Sequence, residues 1–487
     1  MTKITFMGAG STVFAKNILG DALLTECLHD AHIALYDIDA ERLDDSRLMM
    51  ENLNRNINQG RATITAHLGV ENRKESLRGS SFVVNAIQVG GYEPSTVIDF
   101  EIPKKFGLRQ TIADTLGIGG IFRSLRTIPV VLDFCRDMEE VCPEAIFLNY
   151  VNPMAMITGA ILQGSRIQAI GLCHSVQGCV KHLLRELEFT EDPNTLTWKI
   201  AGINHQAWLL SIHDGEKDLY PIIKERAADV IAELRRRGGR AYVKSIEGKA
   251  KAEGKTVGDI LDASTKAAHA AGTWARETAL FRCAWDMVRL DMMSHFGHYI
   301  TESSEHFSEY CPYFIKTTAP QLIDEYNIPL DEYPRRCVNQ IAGWKKQRDS
   351  LVGDKALTHC HSHEFGAGIM EAVITDKPYR VHGSVMNKNL ITNLPAKACV
   401  EVACLIDRNG IQPTCVGELP EQLAALNRTN INPQILTVDA VLRGKKDLVY
   451  QAAMLDPHTS AELTLDQIKA MCDELFAAHG SYLPPMR

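Results

Sequence analysis

Residues 3–39 read KITFMGAGSTVFAKNILGDALLTECLHDAHIALYDID. A short apolar run, Ile4–Met7, turns through Gly8-Ala9-Gly10-Ser11 into a helical pattern from Thr12, and a second strand-like run follows at His32–Tyr36. Strand, glycine turn, helix and strand in that order predict a βαβ unit with parallel strands. Glycines at such a turn bring the backbone close to a pyrophosphate, and the unpaired N–H groups and dipole of the helix N-terminus favour an anion. Gly8, Gly10 and Ser11 are therefore candidate dinucleotide contacts, although Val13 stands where the full fingerprint has a third glycine. Asp37 and Asp39, at the end of the second run, offer a carboxylate to the ribose hydroxyls of NAD, and an acid there repels the 2′-phosphate of NADP. The plainer alternative is an ordinary glycine turn followed by an Asp that caps the next helix.

Outward from this unit the alternation continues. Strand-like runs recur at Phe82–Val89, Ile146–Val151 and Ala169–Cys173, with helices starting near Asp39 and Gly120, so the chain to about Gly178 is expected to form a Rossmann-like, doubly wound parallel sheet. After Trp198 the pattern changes to a possible antiparallel ribbon at Ile200–His213, then to helical patterning with one more strand-like stretch at Val400–Ile406. The expected division is a NAD-binding domain over 1–198 and a largely helical α+β domain over 199–487 for substrate, metal and oligomerisation. The stretch 227–276, rich in Ala, Lys and Arg, reads as a solvated helical excursion.

The 487 residues, 45% hydrophobic and 23% charged, suit a folded two-domain enzyme. A net charge of −8 without long single-sign blocks gives no footprint for nucleic acid. The N-terminus shows no cleavable signal, and no apolar run reaches the roughly 20 residues of a membrane span, so a cytoplasmic protein is expected. Thirteen scattered cysteines fit buried thiols in a reducing compartment.

Ligands of open α/β sheets lie beyond the carboxyl ends of the strands, which places Asn85, Gln88, Asn149 and Asn152 to meet cofactor or sugar hydroxyls. Asn before Pro153 is also ordinary turn chemistry. Cys173 and His174 end another run, and His205 lies in GINHQAW. A thiolate and an imidazole make an open metal site, or else a buried cysteine and a core histidine. In HCHSHE (359–364) the histidines alternate as on one strand face, but nothing nearby completes a site, and a polar loop is expected. The stretch 111–129 holds Asp114 and two arginines, Arg123 and Arg126, that share a helical face and bind an anion or pair with carboxylates. GHYITESSEHFSEY (297–310) concentrates Tyr299, Glu302, Glu305, His306 and Glu309.

GAGSTVFAKNILGD, VGGYEPSTVIDFEI, ADTLGIGG, NYVNPMAM, GLCHSVQG, AGINHQAW, ITESSEHFSEY and EVACLIDRNGIQPT, in this order along nearly the whole chain, resemble glycoside hydrolase family 4, most closely its melibiose-cleaving α-galactosidases. The stretch 227–276 is the clearest departure. The resemblance implies a C-terminal part similar to that of lactate and malate dehydrogenases, and glycoside cleavage by redox and elimination with NAD and a divalent metal, usually manganese. This chemistry departs from the two-carboxylate scheme of other glycosidases. NAD takes the C3 hydride, a base removes the acidified C2 proton while the metal stabilises the enediolate, the leaving group departs from C1, and water addition and re-reduction follow. Cys173 and His205 become metal ligands. His174 becomes the leaving-group acid or a sugar contact, joined at the sugar by Asn149 and Asn152. Glu302 or Tyr299 becomes the C2 base, with Asp114 the next carboxylate to consider. A homodimer or homotetramer is expected. An α-glucuronidase or α-galacturonidase shares the chemistry, whereas a malate-type dehydrogenase would accumulate NADH and a non-enzymatic NAD sensor would not need the Cys, His and acidic residues.

Overall fold

The computed structural model describes residues 1–353 and 355–487. Six parallel strands, β1 (Lys3–Met7), β2 (His32–Asp37), β3 (Thr63–Leu68), β4 (Phe82–Asn85), β5 (Ile146–Asn149) and β6 (Ala169–Gly171), lie in the order β3-β2-β1-β4-β5-β6. This is the doubly wound order, with its switch point between β1 and β4. Every residue of β1, β4 and β5 is buried, as expected of strands covered on both faces by helices.

The sheet does not stop at β6. From Thr197 onward the chain adds β7 (Thr197–Ile203), β8 (Gln206–Asp214), β9 (Lys217–Asp218), β10 (Tyr299–Ile300), β11 (Tyr379–Met386), β12 (Cys399–Asp407) and β13 (Gly410–Pro413). An antiparallel contact of β11 with β6 extends the sheet through β12, β7 and β8 to β10. One continuous sheet thus brings the carboxyl end of β6 beside the β7–β8 turn, and it is this junction that positions the site. Over 220–270 the chain forms helices Tyr220–Arg237, Gly239–Ala252 and Val257–Ala270, the last of which buries none of its residues. Among the described residues no helix is long and apolar enough to cross a membrane.

Two local features fix the N-terminal half. Gly8 has φ +88°, and a Cβ there would lie 2.8 Å from the backbone of Ala86 and Ile87, so the turns after β1 and β4 approach closely only with glycine. Arg126 is buried and grips Asp99 through both Nη atoms (3.1 and 2.6 Å), while His479 reaches Asp99 Oδ1 at 2.9 Å. The carboxylate pairing anticipated for the arginines is therefore realised at Arg126, and it ties the C-terminal helix Leu465–His479 to the first half of the chain.

In β11, His382 is buried and stacked on Trp198, with ring centroids 5.2 Å apart. Burial, helped by Arg380, pushes its imidazole down to about 4. The unfolded chain then binds a proton that the folded chain refuses, so stability present above the ordinary histidine range is lost as pH falls from that range through about 4. His382→Gln is expected to remove about 2–3 kcal/mol from the acid-side loss of stability, read by urea titrations at neutral and acidic pH. An unchanged acid slope would reject this assignment.

Candidate active site

Five elements deliver the side chains. Cys173 lies two residues beyond β6, His205 in the β7–β8 turn, Glu302 just after β10, His306 on the short helix Ser304–Ser308, and Asp114 in the loop before helix Gly117–Val141. His205 has φ +64°, a left-handed conformation uncommon outside glycine, imposed by the tight turn between two paired strands. Its Nε2 lies 3.3 Å from both Cys173 Sγ and Glu302 Oε2, and its Nδ1 lies 3.2 Å from Tyr310 Oη. Ligand atoms of Cys173, His205 and Glu302 all lie within 4.8 Å of one another, and so do those of Asp114, His205 and His306. His205 is common to both groups.

The charges answer one another. Burial opposes the His205 imidazolium, yet Glu302 and Cys173 outweigh it and hold the ring up at about 10. Burial raises Glu302, but His205 and then His306 pull it down to about 2, and Ser303 N–H donates to its Oε1 at 2.8 Å. Cys173 is likewise raised by burial but brought below its ordinary value by His205. Burial also raises Asp114, while His306 and Arg123 bring it below the usual carboxylate range. A deprotonatable thiol, an imidazole and a carboxylate converging on one point are a donor set for a divalent metal, with substrate oxygens or water completing it.

The structure separates the two candidates for the base. Glu302 is in the cluster. Tyr299, buried within β10, donates its hydroxyl to Asp286 Oδ2 at 2.5 Å beneath the Arg289 guanidinium, outside both groups of ligand atoms. His174 is half exposed, with Nε2 2.9 Å from Glu364 Oε2 and its ring against Phe365. Asn152 Nδ2 donates weakly to Asp114 Oδ2 at 3.4 Å, and Arg123 Nε donates to the Asn152 carbonyl at 3.1 Å. Asn149 is buried and used internally: it accepts from Asn85 Nδ2 and donates to Thr158 Oγ1. Gln88 is exposed at the rim beyond β4.

At the dinucleotide turn, the Gly8 and Ala9 N–H groups bond the Tyr36 carbonyl, Ser11 N–H bonds Gly8, and Gly10 N–H is held by Asp37 Oδ2 at 2.6 Å. An anion is therefore left the first-turn N–H groups from Thr12 onward, not those of the glycines. Asp37 also accepts from the Ile38 and Asp39 N–H groups, whereas Asp39 caps helix Ala40–Asn58 through the Arg42 N–H, the alternative weighed above for an Asp at this point. Asn85 Oδ1 and Asn152 Oδ1 are buried with no partner among the described residues, which suits a site awaiting ligand hydroxyls.

Three participants escaped sequence reasoning. Glu364 belongs to HCHSHE, which forms a loop docked on Asp21 through His359 and Ser362, without strand pairing. Tyr310 closes the dense segment that did signal its neighbours. Glu401, buried in β12, is pushed up to about 8 by burial and then by Cys173; its signal was a charge inside the apolar run Val400–Ile406.

The model of family 4 glycosyl hydrolases matches residues 3–189, and that of their C-terminal domain matches 200–459. This chain belongs to glycosyl hydrolase family 4. Within the family it is 54% identical to an α-galactosidase of Bacillus subtilis, over 99% of each chain, and 30% identical to an α-galactosidase of Rhizobium meliloti, over 99% of this chain and 89% of that one. A solved 6-phospho-α-glucosidase from gut microorganisms, in complex with NAD and Mn2+, superposes with a TM-score of 0.72 at 18% identity, over 100% of both chains, and shows the shared family 4 fold.

Proposed function

We propose that this chain hydrolyses α-galactosides of the melibiose type by redox and elimination, with NAD and a divalent metal, manganese first, as catalytic cofactors. The observation that carries this is the meeting of Cys173, His205 and Glu302 within 4.8 Å at the carboxyl end of a dinucleotide-binding sheet. The names of the two relatives above support the galactoside, and the ligands of the solved neighbour support the cofactors.

When bound, NAD accepts and returns the C3 hydride, and the metal stabilises charge on the sugar's C2 and C3 oxygens. Cys173 and His205 would hold that metal, as thiolate and neutral imidazole. Asp37 would accept from the adenosine ribose, with Gly8, Gly10 and Ser11 shaping the pyrophosphate turn and Asn85 and Gln88 lining its rim. Glu302 would take the C2 proton. Asp114, His306 and Asn152 form the polar corner for sugar hydroxyls, with Asn149 orienting their loop. His174, held by Glu364, is placed for the leaving group or the glycone.

The division at 198/199 falls between the two matched regions, and thirteen free thiols favour a reducing, cytoplasmic setting. A homodimer or homotetramer completes the proposal, checked by light scattering.

The deciding experiment is a panel of nitrophenyl glycosides assayed with NAD, Mn2+ and a thiol. The α-galactoside should be cleaved only with all three, without net NADH. Full activity after exhaustive NAD removal and chelation would overturn the mechanism, and stoichiometric NADH would point to a dehydrogenase.

Asp37→Ala should weaken NAD by roughly 10- to 150-fold, the worth of a hydrogen bond to a charged group, with little change in apparent sugar affinity. Asp39→Ala should instead lose about 1 kcal/mol of stability as a missing helix cap. Calorimetric NAD titrations and urea melts read both, and an unchanged NAD affinity in Asp37→Ala would move the ribose contact elsewhere.

A further inference from the structure

The motif HCHSHE (359–364) reaches the site although no strand carries it there. The buried His359 side chain brings Nε2 to 2.7 Å from Asp21 Oδ1. Ser362 donates from its N–H to the same oxygen at 2.8 Å and from its hydroxyl to Asp21 Oδ2 at 2.5 Å. Asp21 sits on helix Thr12–Leu24 beside Gly20, where a Cβ would come within 2.7 Å of the His359 ring. Asn52, on helix Ala40–Asn58, hooks the start of the same loop through the Lys355 carbonyl (3.1 Å) and the Leu357 N–H (3.0 Å). Cys360, His361 and His363 face solvent. Two helices of the dinucleotide-binding half thus fix the loop, and its histidines are spent on docking or exposed, not gathered around a cation.

What the docking delivers is Glu364. Its N–H donates to Ser362 Oγ at 3.1 Å, so Asp21, Ser362 and Glu364 form a continuous chain, and its Oε2 lies 2.9 Å from His174 Nε2. The Glu364 side chain is 8% exposed and that of His174 52%, with the Phe365 ring against the imidazole at 5.2 Å between centroids. A carboxylate only accepts, so Nε2 carries the hydrogen and Nδ1 is the nitrogen left for the substrate. His174 directly follows Cys173, yet it is open to solvent where His205 is buried. The reacting sugar is enclosed against water, whereas the aglycone extends outward, so a half-exposed imidazole beside Cys173 meets the aglycone.

We propose that Glu364 is a positioning residue for His174, which it holds with Nδ1 toward the glycosidic oxygen of the departing aglycone. The role presupposes glycoside cleavage at this site, as proposed above. An imidazole left unheld samples several rotamers and both tautomers; the carboxylate selects one of each, as the acid of a Ser–His–Asp triad does for its histidine. When the C1–O bond breaks, its electron pair goes to the oxygen, which takes the proton from Nδ1 and leaves as an alcohol, with His174 neutral. That proton matters for a sugar alkoxide, a strong base, and little for nitrophenolate, a weak one.

Steady-state rates on melibiose and on 4-nitrophenyl α-galactoside, with NAD, Mn2+ and a thiol, test this. In Glu364→Gln the ratio of the nitrophenyl rate to the melibiose rate should rise about 10- to 100-fold, part of the roughly 10²- to 10⁴-fold that a positioned acid contributes. In a His174→Ala background the same substitution should leave the ratio where His174→Ala puts it, because Glu364 acts through that imidazole. An unchanged ratio in Glu364→Gln, or a rise that persists without His174, would overturn the role and leave the glycosidase reading standing. A wild-type protein that cleaves neither galactoside would overturn that reading itself, and the positioning role with it. Should Glu364→Gln fail to fold, Ser362→Ala decides: a several-fold rise in the ratio supports the chain from Asp21 to His174, and an unchanged ratio overturns it.

Discussion

Galactose released from an α-galactoside in D2O is expected to carry deuterium at C2, in nearly every molecule turned over. Displacement at C1 and elimination across C1 and C2 differ in which C–H bonds break, and only the second opens the C2 position to solvent. The base that takes the C2 proton must lose it again before the same atom is reprotonated, and Glu302 is suited to that exchange because its side chain keeps about a fifth of its surface in contact with water, 19% against 3% for His205. Substrate deuterated at C2 or at C3 should then react more slowly wherever those bonds limit the rate. Nuclear magnetic resonance of the product settles the matter, since direct hydrolysis leaves C2 fully protonated and the C3 position without an isotope effect.

Why the sequence reveals the first half of the fold so readily follows from burial. β1, β2, β4, β5 and β6 sit inside a parallel sheet, so their residues are almost uninterruptedly apolar, and the glycine turn after β1 carries its own chemical marker. β3 is an edge strand with the polar sequence TITAHL and no fully buried residue, so it lacks that pattern. β11, YRVHGSVM, is hidden for a different reason: its interior holds His382, Gly383 and Ser384, small or polar residues accommodated by close neighbours. Composition also could not show that the sheet continues across residue 198, because that continuity rests on the long-range contact of β11 with β6.

The site was legible in proportion to how local its signals are. Cys173 and His205 stand in short distinctive motifs, but their meeting at 3.3 Å depends on β11 and β12, from much later in the chain, standing between β6 and β7 and joining them in one sheet. Asp37 and Asp39 were equivalent in sequence and become distinct only through their partners, one holding the glycine turn and the other a helix end.

The same dependence on three-dimensional partners separates Glu302 from Tyr299. General acid–base catalysis contributes about 10²- to 10⁴-fold, so Glu302→Gln is expected to lower kcat by that factor and C2 exchange in parallel. Tyr299→Phe removes a hydroxyl bonded to Asp286 in a fully buried corner, which should cost about 1–3 kcal/mol of stability while exchange stays within a few-fold of wild type. Paired measurements of exchange and urea stability distinguish a chemical from a structural defect, and exchange lost in Tyr299→Phe but kept in Glu302→Gln would reverse the assignment. If both variants exchange normally, Asp114, 3.9 Å from His306 Nε2, is the carboxylate to replace next. Glu302 also touches His205, so its loss could act through the metal instead of the proton. Mn2+ affinity of Glu302→Gln resolves this: binding that persists while exchange falls assigns the proton to Glu302, whereas joint loss of both would make Glu302 the ligand and leave the proton to another group.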